Sequence, residues 1–161
     1  MPCWSAMQVY LVQHGLATSK EEDPARPLTA AARDEVERVA RAAAAAGVRP
    51  ASILHSGKTR AEQTAEIFAE HTKPPDGVHA VEGLDPLDEP QRARERVAQA
   101  DAPLMLVGHL PHLGRLAATL LAETPQREIV AFRNAGVVCL ERQEGGSFAV
   151  RFILTPDLVA P

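Results

Sequence analysis

Cysteine is scarce in this chain. Cys3 and Cys139 are the only two, too few for a disulfide framework and without the spacing of a metal site. That scarcity fits a reducing, cytoplasmic setting. No apolar run approaches the length of a membrane span. The opening stretch MPCWSAMQVYLV has no charged region ahead of its short apolar part, which argues against a signal peptide. Positive charge is not in surplus either. A formal net charge of -4 and a pI near 5.9 argue against non-specific nucleic-acid binding. Any anion site must be assembled from a few clustered cations. Long linkers and internal repeats are missing, so residues 1–161 read as one domain with its core at about 7–155. Residues 1–6 add nothing to the first strand pattern and are expected to be an upstream start or a frayed extension.

What is present is the mixture of an ordinary globular domain, 45% hydrophobic and 24% charged. MQVYLV (7–12) predicts a strand that ends at Gln13-His14-Gly15. Thr29 is a candidate N-cap for a helix over 30–46, stopped by Gly47 and Pro50. SILH (52–55) predicts a buried strand, followed by a helix over about 59–71. A short strand at 78–81 precedes the loop GLDPLDEP, and Pro90 opens a polar helix that reaches Ala100. PLMLVG (103–108) is the strongest buried-strand pattern, and an apolar helix over about 111–122 follows it. Segments 136–142 and 147–153 alternate around Glu144-Gly145-Gly146 and predict a β-hairpin. Strands alternating with helices imply a three-layer α/β/α sandwich with a mainly parallel central sheet and an antiparallel C-terminal hairpin.

In such sheets ligands bind beyond the carboxyl ends of the strands. That rule selects His14 after the first strand, Ser56 and Arg60 after the second, and His109 after PLMLVG. An imidazole attacks phosphorus through one ring nitrogen when a proton on the other fixes its tautomer. The charge that spreads over the transferring phosphoryl group then needs fixed donors, and the planar guanidinium of an arginine suits that task. His14, Arg60 and His109, with Arg26 in the first loop, supply those parts.

Four segments, VYLVQHG, RPLT, SGKTRAEQTAE and LVGHLPHLG, occur in order at predicted strand ends or the loops after them. Together they resemble the histidine phosphatase superfamily, in particular the small SixA-type phosphohistidine phosphatases, over about Met7 to Thr155. The resemblance implies that His14 is the nucleophile, that Arg60 clamps phosphoryl oxygens, and that His109 stabilises the transferring group. Gln13, Gly15, Arg26, Ser56 and Lys58 would complete the phosphate and substrate contacts. Gln13 replaces the arginine of the family's RHG motif, which removes a charge and a bidentate donor. The family's acidic proton donor has no clear counterpart, and Glu82, Asp85 and Asp88 are the candidates.

Competing readings are weaker. Gly57-Lys58-Thr59 imitates the end of a P-loop, but Ser52 stands where that motif needs a glycine. His109 and His112 have no matching carboxylate, and Pro111 breaks the turn between them, so no metal is expected. No cofactor is implied. His55, His71 and His79 read as structural or exposed. The function implied is a metal-independent phosphatase acting on phosphohistidine in a protein partner through phospho-His14. The alternatives are a phosphatase of a small phosphorylated metabolite, or a catalytically weak phospho-ligand binding protein.

Overall fold

The computed structural model describes residues 6–161. The extension expected at residues 1–6 therefore lies almost wholly outside the described residues. Six strands form one sheet: β1 (Gln8–Gln13), β2 (Ser52–His55), β3 (Val78–Ala80), β4 (Leu104–Gly108), β5 (Val137–Arg142) and β6 (Phe148–Leu154). Their order is β3-β2-β4-β1-β5-β6. The first four are mutually parallel, whereas β5 runs antiparallel to β1 and pairs with β6 as the expected hairpin. The helices are α1 (Ala30–Ala45), α2 (Thr59–Thr72), α3 (Gln91–Gln99) and α4 (His112–Ala122). Predicted boundaries are met to within a residue or two, where fraying decides the terminal residue.

The central strands read as continuous apolar runs because both faces of the sheet are covered. Along β1, Tyr10 and Val12 enter one core with Met105, Val107, Val137 and Cys139, beneath α1 and α2. Val9 and Leu11 enter the opposite core with Leu104, Leu106, Val138 and Leu140, beneath α3 and α4. In α1 the small stripe Ala32, Val36, Val39, Ala40 and Ala43 lies against the sheet. Thr29 caps this helix by accepting the Ala32 N–H at 3.0 Å, a contact worth about 1 kcal/mol. The polar helix α3 buries only Ala93 and Val97.

Register places the site. Gln13 pairs with Gly108 and His55 with Val107, so β1, β2 and β4 end level with one another. Residues 14, 56 and 109 are thereby delivered to one edge. No helix among the described residues is long and apolar enough to cross a membrane.

Candidate active site

The backbone beside His14 is clamped from three elements. The His14 N–H donates to the Gly108 carbonyl at 3.1 Å. Asn134 Nδ2 donates to the His14 carbonyl at 2.9 Å, and the Gly15 N–H donates to Thr64 Oγ1 at 3.1 Å. Thr64 passes its own proton to the Arg60 carbonyl at 2.8 Å, which couples the His14 loop to the helical turn bearing Arg60. Gly15 must be glycine for space. A Cβ there would stand 2.9 Å from Val36 Cγ2 and 3.1 Å from Leu28 Cδ2.

The imidazole of His14 has two different ends. Nδ1 lies 2.6 Å from the Gly15 carbonyl, an acceptor that requires a proton on Nδ1. Nε2 faces Arg60 Nε, 3.4 Å away and a donor only. The proton therefore sits on Nδ1, and the unprotonated Nε2 accepts a long hydrogen bond from the Arg60 Nε–H. Burial lowers the His14 pKa, the Gly15 carbonyl opposes that shift, and the nearby charges of Arg60 and Arg26 reinforce it. The ring is neutral at pH 7.

The His109 ring lies 4.9 Å from that of His14, centroid to centroid, tilted by 52°. Its residue is 2% exposed, and its Nδ1 is buried with no partner. Its Nε2 is 2.6 Å from Ser56 Oγ. Nδ1 lacks a partner whichever ring nitrogen carries the proton, so Ser56 Oγ is the one side chain that holds the ring by a hydrogen bond among the described residues. Burial, then His14, Arg60 and Lys58, pull the His109 pKa down to about 3. Ser56 Oγ also accepts the Lys58 N–H at 3.3 Å, which ties the Ser56–His109 pair to the start of α2.

The remaining predicted residues fall around this pair. Arg26 adopts φ 50, a left-handed conformation that costs a non-glycine residue about 1–2 kcal/mol. It is held there by Nε donating to the Thr18 carbonyl at 3.2 Å, and its charge reaches both His14 and Arg60. Lys58 precedes α2 and bears on His109. Gln13 buries Oε1 without a partner, which leaves Nε2 as the accessible end of its amide. The Gly15 N–H is already taken by Thr64, so this residue contributes through its carbonyl and its small size. Asp85 lies close enough to act on Arg60, whereas Glu82 is 86% exposed and pairs with Arg92 at 3.2 Å. Asp88 accepts the Asp85 N–H at 3.0 Å.

Thr64, Gln63 and Asn134 were given no role from sequence, although the first two lie in the quoted segment SGKTRAEQTAE. Gln63 Oε1 accepts the Leu28 N–H at 2.8 Å and ties the RPLT loop to α2. Asn134 is 120 residues from His14 in the chain and carries no local signal. Among the described residues, Glu37, Glu70 and His71 group at metal-ligand proximity. They lie between α1 and the far end of α2, where Glu37 accepts from His71 at 2.6 Å and Arg41 at 3.2 Å.

Known proteins share this fold. The protein histidine phosphatase SixA, solved with tungstate, superposes with a TM-score of 0.83 at 25% identity, covering 94% of this chain and 99% of that one. A mycobacterial glucosyl-3-phosphoglycerate phosphatase shares the fold with a TM-score of 0.73 at 17% identity, over 93% of this chain and 100% of its own. An uncharacterized protein of Picosynechococcus sp. is 36% identical over 121 residues, 71% of this chain and 73% of that protein. The family model of the histidine phosphatase superfamily (branch 1) matches residues 9–90, half of the chain, including both His14 and Arg60. On that match, and with a fold shared along nearly its whole length, the chain belongs to the histidine phosphatase superfamily.

Proposed function

We propose that the protein is a phosphatase of phosphohistidine in a protein partner, working through a phosphohistidine on its own His14. The observation that carries the reading is the two-ended environment of His14: Nδ1 held by the Gly15 carbonyl, Nε2 unprotonated and met only by a long hydrogen bond from Arg60. Nε2 attacks phosphorus, a bond forms between them, and the P–N bond to the partner's imidazole breaks. The electron pair stays on that imidazole, which takes a proton from water. Water then attacks phosphorus, the bond to His14 breaks, phosphate leaves and the free Nε2 returns.

Charge on the equatorial oxygens is met by Arg60, with Arg26 and Lys58 nearby. The Ser56 hydroxyl, hydrogen-bonded to His109 Nε2 and to the Lys58 N–H, borders the same space. His109 thus acts through Ser56 in the free protein and reaches the phosphoryl group itself when the hydroxyl swings aside. The tungstate bound by SixA fits this reading, since it is a tetrahedral oxyanion in a protein of the same fold. Our reading further holds that the chain acts as one domain in a reducing, cytoplasmic compartment. The neighbouring glucosyl-3-phosphoglycerate phosphatase keeps a small-metabolite substrate as the second reading. Phosphate release measured on phosphohistidine and on simple phosphomonoesters decides between them. Turnover of the monoesters alone would refute the first reading.

A further inference from the structure

Large apolar side chains left in water are unevenly spread over this molecule. Among the described residues the exposed ones are Leu16, Leu87, Leu110, Ile129, Val150, Ile153 and Leu158. Single exposed leucines need no explanation, but these cluster by position in the fold. Leu16 follows His14-Gly15, Leu110 directly follows His109, and Leu87 lies in the loop after β3. Leu158 sits in the turn after β6, which ends where β1 does, because Leu154 pairs with Val137 and Val137 with Val12. All four therefore lie in segments that leave the sheet at the edge that holds His14. Leu87, Leu158 and Leu16 are 83%, 69% and 59% exposed. Leu110 also lines a groove of about 390 Å³ with Pro111, Val130 and Phe132, where Arg115, Arg127 and Glu128 give mixed charge.

The spread of these side chains fixes the size of what covers them. Neighbouring strands lie about 4.8 Å apart, so the three steps from β4 to β6 separate the strand ends that lead to Leu110 and Leu158 by about 14 Å. A protein surface covers such a distance readily, since a standard interface covers about 800 Å² on each partner. Charge then selects the kind of protein. The centre of the face holds Arg26, Lys58 and Arg60, whose charges converge on His14 and His109. A second copy of the chain docked symmetrically through this face would bring the same cations into opposition. The occupant has to carry an anion at its centre and apolar side chains around it.

We infer that this end of the molecule is a protein-docking face. Leu16, Leu87, Leu110 and Leu158 seat the apolar surroundings of the phosphohistidine that a folded partner presents to His14. The inference rests on the function proposed above and adds the surface that recognises the partner. It distinguishes two tasks on one edge. The cations and His14 handle the phosphoryl group, and the leucines handle the protein that carries it.

The test is the triple variant Leu16→Ser, Leu87→Ser, Leu158→Ser, which leaves Leu110 beside His109 untouched. Two substrates are compared, a folded protein phosphorylated on histidine with potassium phosphoramidate and the free amino acid phosphohistidine. We expect KM for the phosphoprotein to rise about tenfold or more, as loss of several apolar anchors implies, with turnover of free phosphohistidine unchanged. An unchanged KM for the phosphoprotein would remove the face and leave the proposed function standing. Equal losses on both substrates would also overturn it, because they mean damage to the site. If the native protein hydrolyses phosphomonoesters but neither phosphohistidine substrate, the proposed function falls and this face falls with it. Sedimentation of the native protein supplies a further check: a dimer that the triple variant dissociates would give the face to a second copy.

Discussion

Replacing Gln13 by arginine should make this protein a faster phosphatase, by an amount the site geometry bounds. Gln13 ends β1 level with Gly108, buries its Oε1, and offers one accessible amide nitrogen toward the edge. An arginine there would offer a charge and a planar pair of donors. One such donor on a developing oxyanion is worth about 2–4 kcal/mol of transition-state stabilisation, or roughly 30- to 1000-fold in rate. Lys58 is the candidate to replace the arginine as a point charge, because its charge helps to depress the pKa of His109. The assay is single-turnover formation of phospho-His14 followed by steady-state phosphate release, for Gln13→Arg and Lys58→Ala made singly and together. Lys58→Ala should be severe in the native background and mild once the arginine is present. Equal effects in both backgrounds would refute compensation by Lys58, and a Gln13→Arg variant no faster than the native protein would refute the argument from lost charge.

His14→Ala should abolish an acid-labile, base-stable phosphoryl label, whereas His109→Ala should keep some label with slow turnover; undiminished labelling of His14→Ala would move the nucleophile elsewhere. Thr64→Val strands the buried Gly15 N–H, so urea unfolding should show a loss of about 1–3 kcal/mol, and an unchanged midpoint would deny the coupling of the His14 loop to α2. The pKa of His109 falls from 6.5 to about 3 in the folded protein, so the unfolded chain takes the proton first. The stability this neutral ring contributes is complete above pH 6.5 and is lost as pH falls, at a limiting slope of about 1.4 kcal/mol per pH unit. His109→Asn should flatten that slope between about pH 6 and pH 5, and parallel curves for the two proteins would contradict it. Asp85→Asn should slow phosphomonoester hydrolysis more than Glu82→Gln, because Asp85 lies by Arg60 while Glu82 pairs with Arg92; the reverse order would exchange them.

The strands, and the sheet edge that gathers the candidate residues, were legible for a common reason. Buried parallel strands need apolar residues on both faces, which makes PLMLVG and SILH conspicuous. Chemistry-bearing residues gather where such strands end. His14, Ser56 and His109 stand out because each follows a strand directly. Contacts that bridge elements left no comparable trace. Asn134 comes from an irregular segment before β5 to hold the His14 carbonyl, and no spacing or periodicity announces it. Thr64 sits in a quoted motif, yet its purpose appears only when its Oγ1 is seen between Gly15 and Arg60. The tautomers were also out of reach of sequence, since they depend on which carbonyl or hydroxyl faces each ring nitrogen. Gly15 shows the converse. Its place in the motif suggested phosphate contact, but its N–H is committed to Thr64 and the packing of Val36 and Leu28 forbids a side chain.

The two features in which this site is poor, one arginine fewer and no acid aimed at the leaving group, bear on the same chemical choice. Expelling an alkoxide from a phosphomonoester needs a proton delivered as the P–O bond breaks, because the alkoxide is strongly basic. Glu82 is drawn away by Arg92, Asp88 spends a carboxylate oxygen on the Asp85 N–H, and the exposed Asp85 bears on Arg60. None has a hydrogen bond to His14, Arg60 or His109. An imidazole leaving a phosphohistidine makes a smaller demand, since its ring nitrogens take up a proton from water near neutral pH. The same leaving group lowers the barrier that the clamp must offset, so the loss of the arginine at position 13 is felt less. If the proposed function holds, a site with a defined nucleophile, a reduced clamp and no acid hydrogen-bonded to it suits a P–N bond better than a P–O bond, and phosphohistidine should be turned over faster than any simple phosphomonoester.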